Sequence, residues 1–153
     1  MRTALWTAVL IIIAGSLWTA PRRPPGAGAP LLEGAEVPGE VRSLIDRSCR
    51  DCHSDRTRYP WYSYVAPVSI LVGRDVKAGR ARLNFSHWDE YTLTRRLRFL
   101  SDIANQVEER EMPLSLYTAI HRDARLSDEQ IQAVFRWTQA ERLRLIHSSE
   151  PRP

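Results

Sequence analysis

One stretch of the sequence, SLIDRSCRDCHSDRTRYPWYS at residues 43–63, contains both cysteines of the chain, and a histidine directly follows the second cysteine. The apolar residues in and before this stretch recur with the period of an α-helix. We therefore expect a first helix, opened by Pro38, whose apolar face carries both cysteines and which brings His53 in as the next residue. The members of this face are Val41, Leu44, Ile45, Ser48, Cys49 and Cys52.

Four chemistries use a close pair of cysteines. A thioredoxin-like redox pair needs a strand–helix context, and the sequence contains no alternating strand pattern. A zinc site needs four ligands, and the next histidine, His87, has no second ligand beside it. A disulfide between the two cysteines is possible in an exported chain, but a disulfide that closes so short a loop is rarely a structural one. Covalent haem attachment is favoured, with thioethers from Cys49 and Cys52 and with His53 as an axial iron ligand.

The first twenty residues differ in kind from the rest. No charged residue occurs from Thr3 to Ala20, a stretch of 18 residues that spans about 27 Å as a helix. Trp6 and Trp18 lie near its ends, where interfacial aromatic residues are common. We expect an uncleaved membrane anchor at residues 1–20. A cleaved signal peptide is the alternative, although Trp18 does not suit the position before a cut at Ala20. Both place the domain outside the bacterial cytoplasm, where haem c is attached.

The rest of the chain divides by composition. Residues 21–37 are rich in Pro, Gly and Ala, so we expect an extended linker there, followed by the domain at 38–145 and a flexible tail at 146–153. Three of the 22 basic residues precede Glu33, the first acidic one, which leaves 19 basic against 18 acidic residues. The domain is therefore nearly neutral. Without a basic stripe carrying interleaved aromatic residues, nucleic-acid binding is not expected.

Three further helices are expected in the domain. The second runs from about Pro67 to Ala78, the third starts near Asp89, and the last starts at Ser127, where Gln130 completes a capping box. Because this core is small for the chain length, a bound prosthetic group would help to fill it. The apolar stripes are Val68, Val72 and Val76 in the second helix, Leu93, Leu97, Leu100, Ala104 and Val107 in the third, and Ile131, Val134, Phe135 and Trp137 in the last.

Around the cysteine motif, the chain resembles the haem-binding domain family of bacterial c-type cytochromes, over about residues 38–140. The aromatic–proline run after the motif is the most specific part of the resemblance. The resemblance implies an all-α, cytochrome c-like helical domain around one covalently attached haem c, in the periplasm. The matching segments are Cys49 to Ser54, Tyr59-Pro60-Trp61-Tyr62-Ser63, Ala66-Pro67-Val68-Ser69, Asp75-Val76, Gly79-Arg80, Leu83-Asn84-Phe85-Ser86, Trp88, Met112-Pro113, Tyr117, His121, Leu126-Ser127 and Trp137.

Met112 is the expected sixth ligand of the iron. The chain has two methionines, the initiator and Met112, and Met112-Pro113 is similar to the distal ligand segment of class I cytochromes c. Ligation by histidine and methionine raises the reduction potential and suits electron transfer. The alternative is a methionine that fills a gap in the core. His121 is the competing ligand, and its other interpretation is a hydrogen bond to a haem propionate or to the backbone.

Other residues are candidates for lining the haem. Trp61, Tyr62 and Trp88 would line it or hold its propionates, and ordinary core packing is the alternative for each. Pro67 either places its carbonyl against the free ring nitrogen of His53 or only starts a helix.

At the level of function, we expect an electron carrier rather than an enzyme. Its partners would be redox proteins, and its N-terminal helix would pass once through the inner membrane and leave the domain in the periplasm. A soluble periplasmic protein results if the N-terminus is cleaved. A small haem peroxidase and a redox or gas sensor, in which the sixth iron position can open, are the alternative functions.

Overall fold

The computed structural model describes residues 2–21 and 30–149, and the regular elements in this part of the chain are all helical. The α-helices are α1 (Arg2–Thr19), α2 (Gly39–Ser48), α3 (Arg50–His53), α4 (Val68–Arg82), α5 (Leu93–Glu108), α6 (Ser115–Ile120) and α7 (Asp128–Ser149). Short 3-10 helices lie at Trp61–Tyr64, Phe85–His87 and Arg122–Ala124. The prediction of an all-α protein is confirmed.

The described chain divides into two compact units. The first combines residues 2–21 with 51–84, and the second combines residues 30–50 with 85–149. In the first unit, α4 packs against the 3-10 helix Trp61–Tyr64, and α1 contacts both. In the second unit, α5 packs along α7, and α2 packs against α7 and the 3-10 helix Arg122–Ala124.

The two units bury very different amounts of apolar side chain. Among the described residues of the first unit, the buried apolar side chains are those of Val76 and Leu83. The second unit contains the main hydrophobic core, in which Leu44, Leu100 and Trp88 are almost completely removed from solvent. Apolar burial is the main source of folding free energy. The second unit therefore gains more stability from its own buried side chains than the first unit does.

The expected starts of α5 and α7 can be compared with their caps. Ser127 and Gln130 form the predicted capping box, in which the Ser127 amide donates to Gln130 Oε1 over 3.0 Å and the Gln130 amide donates to Ser127 Oγ over 3.3 Å. The start of α5 is later than Asp89, because Thr92 is its N-cap and accepts the amide of Arg95 over 3.4 Å. A hydroxyl at this position satisfies an amide that has no partner within the helix.

The helix expected to carry both cysteines is interrupted, which corrects the prediction of one continuous face. The four positions Val41, Leu44, Ile45 and Ser48 are buried in α2 as expected. However, α2 ends at Ser48, because Cys49 has a φ of −124°, outside the helical region. The Cys49 amide still donates to the Ile45 carbonyl over 3.0 Å. A separate helix, α3, begins at Arg50 and carries Cys52 and His53.

The second expected helix is longer than its pattern indicated. Pro67 is the N-cap of α4, and the helix continues to Arg82, four residues beyond the predicted end at Ala78. Of the expected stripe, Val76 is buried whereas Val68 is 38% exposed. The valine spacing therefore identified the helix but not the side chains that it buries.

Residues 30–37 of the predicted linker are instead folded onto the second unit. Leu32 is 3% exposed, and its amide donates to the Phe85 carbonyl over 3.0 Å. The indole of Trp137 donates to the Glu36 carbonyl over 2.9 Å. These contacts supply a buried apolar side chain and a partner for a buried indole, which composition alone did not indicate. Residues 22–29 of the predicted linker lie outside the described part.

The two ends of the chain also bear on the predicted boundaries. Helix α1 is long and apolar enough to cross a membrane, by length and composition, and none of its 18 residues is buried. The predicted end of the domain at residue 145 lies inside α7, which continues to Ser149. Residues 150–153 of the predicted tail lie outside the described part.

Candidate haem-binding site

The cysteine–histidine motif is located where α2 ends and α3 begins. Cys49 follows α2 in the second unit, and Cys52 and His53 belong to the first unit. All three side chains are half-buried, and no disulfide joins the two thiols. Burial raises the pKa of the Cys52 thiol to about 11, and the carboxylates of Asp51 and Asp75 add to this effect. The thiol is therefore protonated at neutral pH, unlike the low-pKa thiolate of a catalytic cysteine.

Helix α4 comes close to the backbone of the motif because it has a glycine at the point of approach. A Cβ atom on Gly79 would lie 2.6 Å from the Cys52 carbonyl oxygen and 3.2 Å from the Cys52 Cβ. Any larger residue would require α4 or α3 to move. The glycine therefore sets the distance between α4 and the cysteine–histidine motif.

The imidazole of His53 is held in one tautomer by a backbone carbonyl. Its Nδ1 lies 3.1 Å from the carbonyl oxygen of Leu83, at the end of α4. A carbonyl only accepts hydrogen bonds, so Nδ1 carries the proton. Burial lowers the pKa of His53, while the carbonyls of Leu83 and Gly79 act in the opposite direction. The ring is thus neutral, and its Nε2 has the lone pair that binds a metal.

The carbonyl that contacts the His53 ring belongs to Leu83 and not, as one interpretation expected, to Pro67. The Pro67 carbonyl accepts the amide of Ile70 over 3.1 Å, as the first turn of α4 requires. Pro67 therefore matches the second interpretation given above, that of a residue that starts a helix. Nothing in the sequence indicates Leu83 as this partner, because a backbone carbonyl thirty positions away has no side-chain signature.

The loop that follows the motif is fixed by polar side chains that were not assigned roles from the sequence. Arg80 of α4 donates to the Ser54 carbonyl and to Thr57 Oγ1, both over 2.8 Å. Asp55 is buried, accepts from Asn84 Nδ2 over 3.0 Å and lies 3.6 Å from Arg80. Arg80 and Asn84 are among the residues that carry the family resemblance described above. Their role in holding the loop is apparent only from the structure, in which α4 lies beside that loop.

The aromatic candidates of the first unit lie on its surface. Trp61 is 78% exposed, and its ring lies edge-on to that of Tyr62, with 5.9 Å between the centroids. Tyr62 is half-buried, and burial, followed by the Asp51 carboxylate, raises the pKa of its phenol. Neither side chain belongs to the buried core of this unit, so core packing does not explain them.

The two candidates for the sixth ligand lie in the second unit. Met112 is half-buried, follows α5, and donates its amide to the Gln106 carbonyl over 3.0 Å. His121 ends α6, and its ring stacks on that of Tyr117 with 4.3 Å between the centroids. His121 therefore has a stacking partner that positions its ring, whereas Met112 lies on an irregular segment.

Among the described residues of the second unit, the buried polar atoms that lack a hydrogen-bond partner include Trp88 Nε1 and Ser48 Oγ. Trp88 is 0% exposed, and its Nε1–H meets no acceptor. Ser48, directly before Cys49, has the same property at Oγ. Leaving such a group buried and unpaired costs about 1–3 kcal/mol, so a water molecule or a bound group is expected to supply the missing partner.

These features fit a covalently attached haem. The motif offers two thiols and a neutral imidazole whose Nε2 can bind a metal. The first unit has almost no apolar core of its own among its described residues. No group of three or more His, Cys, Asp or Glu side chains in residues 2–21 and 30–149 could hold a metal ion by itself.

Comparison with known proteins gives two matches. The family model described as "Haem-binding domain" matches residues 9–140. A protein of Escherichia coli (strain K12) named cytochrome c peroxidase Ccp is 26% identical over 114 residues, which is 72% of this chain and 24% of that protein. The chain thus spans about a quarter of the length of this relative. No solved structure matches.

Proposed function

Because the chain belongs to the haem-binding domain family, we propose that it is a mono-haem c-type cytochrome that carries electrons in the periplasm. Cys49 and Cys52 would each add their thiol across a vinyl group of the haem, with the thiol hydrogen transferred to the vinyl carbon. His53 would bind the iron through Nε2. When bound, the haem supplies reversible one-electron chemistry at the iron.

The observation that carries this proposal is the state of His53. A histidine that is neutral, half-buried and hydrogen-bonded through Nδ1 to a carbonyl has the arrangement of a metal ligand with a supporting acceptor. It directly follows the second cysteine of a C-x-x-C-H sequence, the pattern of c-type haem attachment.

We further propose Met112 as the sixth ligand and α1 as a membrane anchor. A thioether is a neutral, soft ligand that favours ferrous iron and so raises the reduction potential. The scarcity of methionine in the chain and the position of Met112 after α5 support this assignment. The length and composition of α1 support a single-pass anchor with the domain on the periplasmic side.

Absorption spectroscopy tests the electron-carrier proposal. The purified full-length protein, expressed with a haem-attachment system, should show a low-spin spectrum and the far-red ferric band of a methionine–iron bond. The ferrous form should bind carbon monoxide slowly. A colourless but folded protein would refute the haem assignment as well as the function.

A small peroxidase is the second candidate function, because the matched relative is named a cytochrome c peroxidase. A peroxidase needs a sixth position open to peroxide, and His121 would then be the candidate acid–base group. A high-spin ferric spectrum together with turnover of hydrogen peroxide would favour this function over electron transfer.

A further inference from the structure

We propose that the first unit rests on the lipid surface through an exposed apolar patch beside the end of α1. We call this surface the interfacial patch. It consists of Trp61, Tyr64, Val65, Val68 and Ile70. The inference rests on the membrane anchor of the proposed function and goes beyond it, because it assigns a lipid contact to the haem-carrying unit itself.

The interfacial patch is more apolar than an ordinary protein surface. Its side chains are between 38% and 78% exposed, with Trp61 the most exposed and Ile70 at 58%. They belong to residues 59–73, a stretch of 15 residues without any charge, bounded by Arg58 and Arg74. Contiguous exposed apolar groups bounded by charge mark interaction surfaces.

Three contacts place this patch at the end of α1. The amide of Ala66 donates to Ser16 Oγ over 3.1 Å, and the hydroxyls of Thr19 and Ser69 are 2.5 Å apart. A Cβ atom on Gly15 would lie 3.3 Å from the Cβ of Ala66, so the helix packs closely here. In sequence, Val65 directly precedes Ala66, and Val68 and Ile70 flank Ser69. Val65, Val68 and Ile70 are therefore sequence neighbours of the residues that contact α1, and α1 also contacts the 3-10 helix Trp61–Tyr64.

The length of α1 determines how deep in the membrane its contacts with Ala66 and Ser69 would lie. A helix of 18 residues spans about 27 Å, slightly less than the hydrocarbon core of about 30 Å. Ser16 is three residues before the end of α1, or about 4.5 Å along its axis. An α1 that crosses the membrane therefore places Ala66 and its neighbours at the boundary between the acyl chains and the headgroups.

The composition of the patch suits this boundary rather than a protein partner. Tryptophan and tyrosine prefer the headgroup level, where the ring is apolar and its polar edge is hydrated. Arg58 and Arg74 have side chains that are 57% and 75% exposed, and they can reach lipid phosphates while also pairing with Asp51 and Asp75. Because this segment packs against the end of α1, lipid lies beside the patch whenever α1 spans the membrane.

Helix α4 also links the proposed lipid contact to the cysteine–histidine motif. Helix α4 contacts α1 through Ser69 near its first turn and approaches the Cys52 carbonyl through Gly79 near its last turn. Ten residues separate these two positions, which is about 15 Å along the helix axis. Helix α4 thus acts as a spacer between the lipid contact and the haem-attachment motif.

Site-specific photocrosslinking tests the inference on the full-length, haem-loaded protein in vesicles of phosphatidylethanolamine and phosphatidylglycerol. A benzophenone amino acid would replace Leu10 in α1, Trp61 or Ile70 in the patch, or Lys77 as the control. Lys77 is exposed and lies seven residues further along α4 than Ile70. We expect lipid adducts at positions 10, 61 and 70, each several-fold above the level at position 77.

The outcomes separate this inference from the proposed function. Adducts at position 10 with none above the control at positions 61 and 70 would overturn the lipid contact and leave the anchor in place. In native membranes, protein adducts replacing lipid adducts at position 61 would also overturn it, in favour of a protein partner. Absence of adducts at position 10 would refute the anchor and the patch together, while the absorption spectrum of the same samples independently reports on the haem.

Discussion

At the scale of single residues, His53 and Trp88 are the two side chains whose surroundings bear most directly on the proposed haem site. The imidazole of His53 has one nitrogen engaged by the Leu83 carbonyl and is neutral because burial lowers its pKa. The indole of Trp88 is buried with its N–H unpartnered. The first arrangement suits a metal ligand, and the second leaves a buried donor for which the described part of the chain offers no acceptor.

The substitution Met112→Ala tests the sixth iron ligand. Loss of the thioether should give a five-coordinate or water-ligated ferric haem that binds added imidazole or carbon monoxide, and the reduction potential should fall. His121→Ala should leave the methionine–iron band intact and change the potential only slightly. If His121→Ala instead removes the low-spin spectrum while Met112→Ala does not, the iron has two histidine ligands.

The substitution Trp88→Phe tests whether the unpartnered indole donates to a haem propionate. Phenylalanine keeps an aromatic ring but removes the N–H, so the carboxylate loses a donor and its negative charge is felt more strongly at the iron. We expect a lower reduction potential and a shifted pH dependence of that potential, measured by spectroelectrochemistry. An unchanged potential across pH 5–9 would contradict the propionate contact.

Trp137→Phe is the matched control for this experiment. The indole of Trp137 donates to the Glu36 carbonyl over 2.9 Å, so its loss removes an internal hydrogen bond of the second unit. The free energy of unfolding should fall by about 1 kcal/mol, while the reduction potential should stay the same. Comparison of Trp88→Phe with Trp137→Phe thus distinguishes a contact with the cofactor from a hydrogen bond that only stabilises the fold.

At the scale of elements, α4 is the helix on which the first unit is organised. One end contacts α1, the other end approaches Cys52 and supplies the Leu83 carbonyl, and Arg80 between them fixes the loop after the motif. The two glycines of α4, Gly73 and Gly79, have different surroundings. A Cβ atom on Gly73 would meet nothing within 4 Å, whereas one on Gly79 would overlap the Cys52 carbonyl.

The substitutions Gly79→Ala and Gly73→Ala test this difference within one helix. Alanine at position 73 should stabilise the protein by about 0.5–1 kcal/mol, since it has the higher helix propensity. Alanine at position 79 should destabilise it by about 1–3 kcal/mol, because α4 must move away from Cys52. Chemical denaturation of the haem-loaded proteins measures both changes. Equal effects of the two substitutions would contradict the close approach.

The haem-to-protein ratio of the Gly79→Ala protein gives a second readout. A shifted α4 also displaces the Leu83 carbonyl from His53, so haem incorporation should decrease. The Gly73→Ala protein should incorporate haem as the unmodified protein does, since its substitution lies away from the motif along α4.

At the scale of the whole molecule, the two units differ in how much core they contain. Val76 and Leu83 are the buried apolar side chains among the described residues of the first unit, whereas the main core lies in the second unit. A covalently bound porphyrin would add a large apolar surface to the unit that carries Cys52 and His53. Folding of the first unit is therefore expected to depend on the haem more strongly than folding of the second.

Hydrogen exchange on a haem-free protein tests this dependence. In the Cys49→Ala/Cys52→Ala double variant, α4 should exchange its amides much faster than α5 and α7, because little buried apolar area protects it. In the haem-loaded protein, which should retain its haem through acid–acetone extraction, the protection of α4 should rise. Equal protection of α4 and α5 in the haem-free variant would refute the proposed role of the haem in this core.

Much of the molecule could be predicted from the sequence because the relevant signals are local. Helical periodicity identified the helices that became α2, α4, α5 and α7, and the Ser127–Gln130 capping box located the start of α7. The prediction of a haem protein, which the family match confirms, rested largely on the spacing of Cys49, Cys52 and His53. Each of these features depends on residues within a few positions of one another, so a single chain segment contains the whole signal.

The tertiary structure decided what depends on distant backbone. The packing of residues 30–37 against Phe85 and Trp137, the Leu83 carbonyl that orients His53, and the close approach at Gly79 all join positions far apart in the chain. Backbone carbonyls and amides are the same in every residue, so a sequence does not mark which of them will meet a given side chain. Only the packing of α4 beside the motif determines that partner.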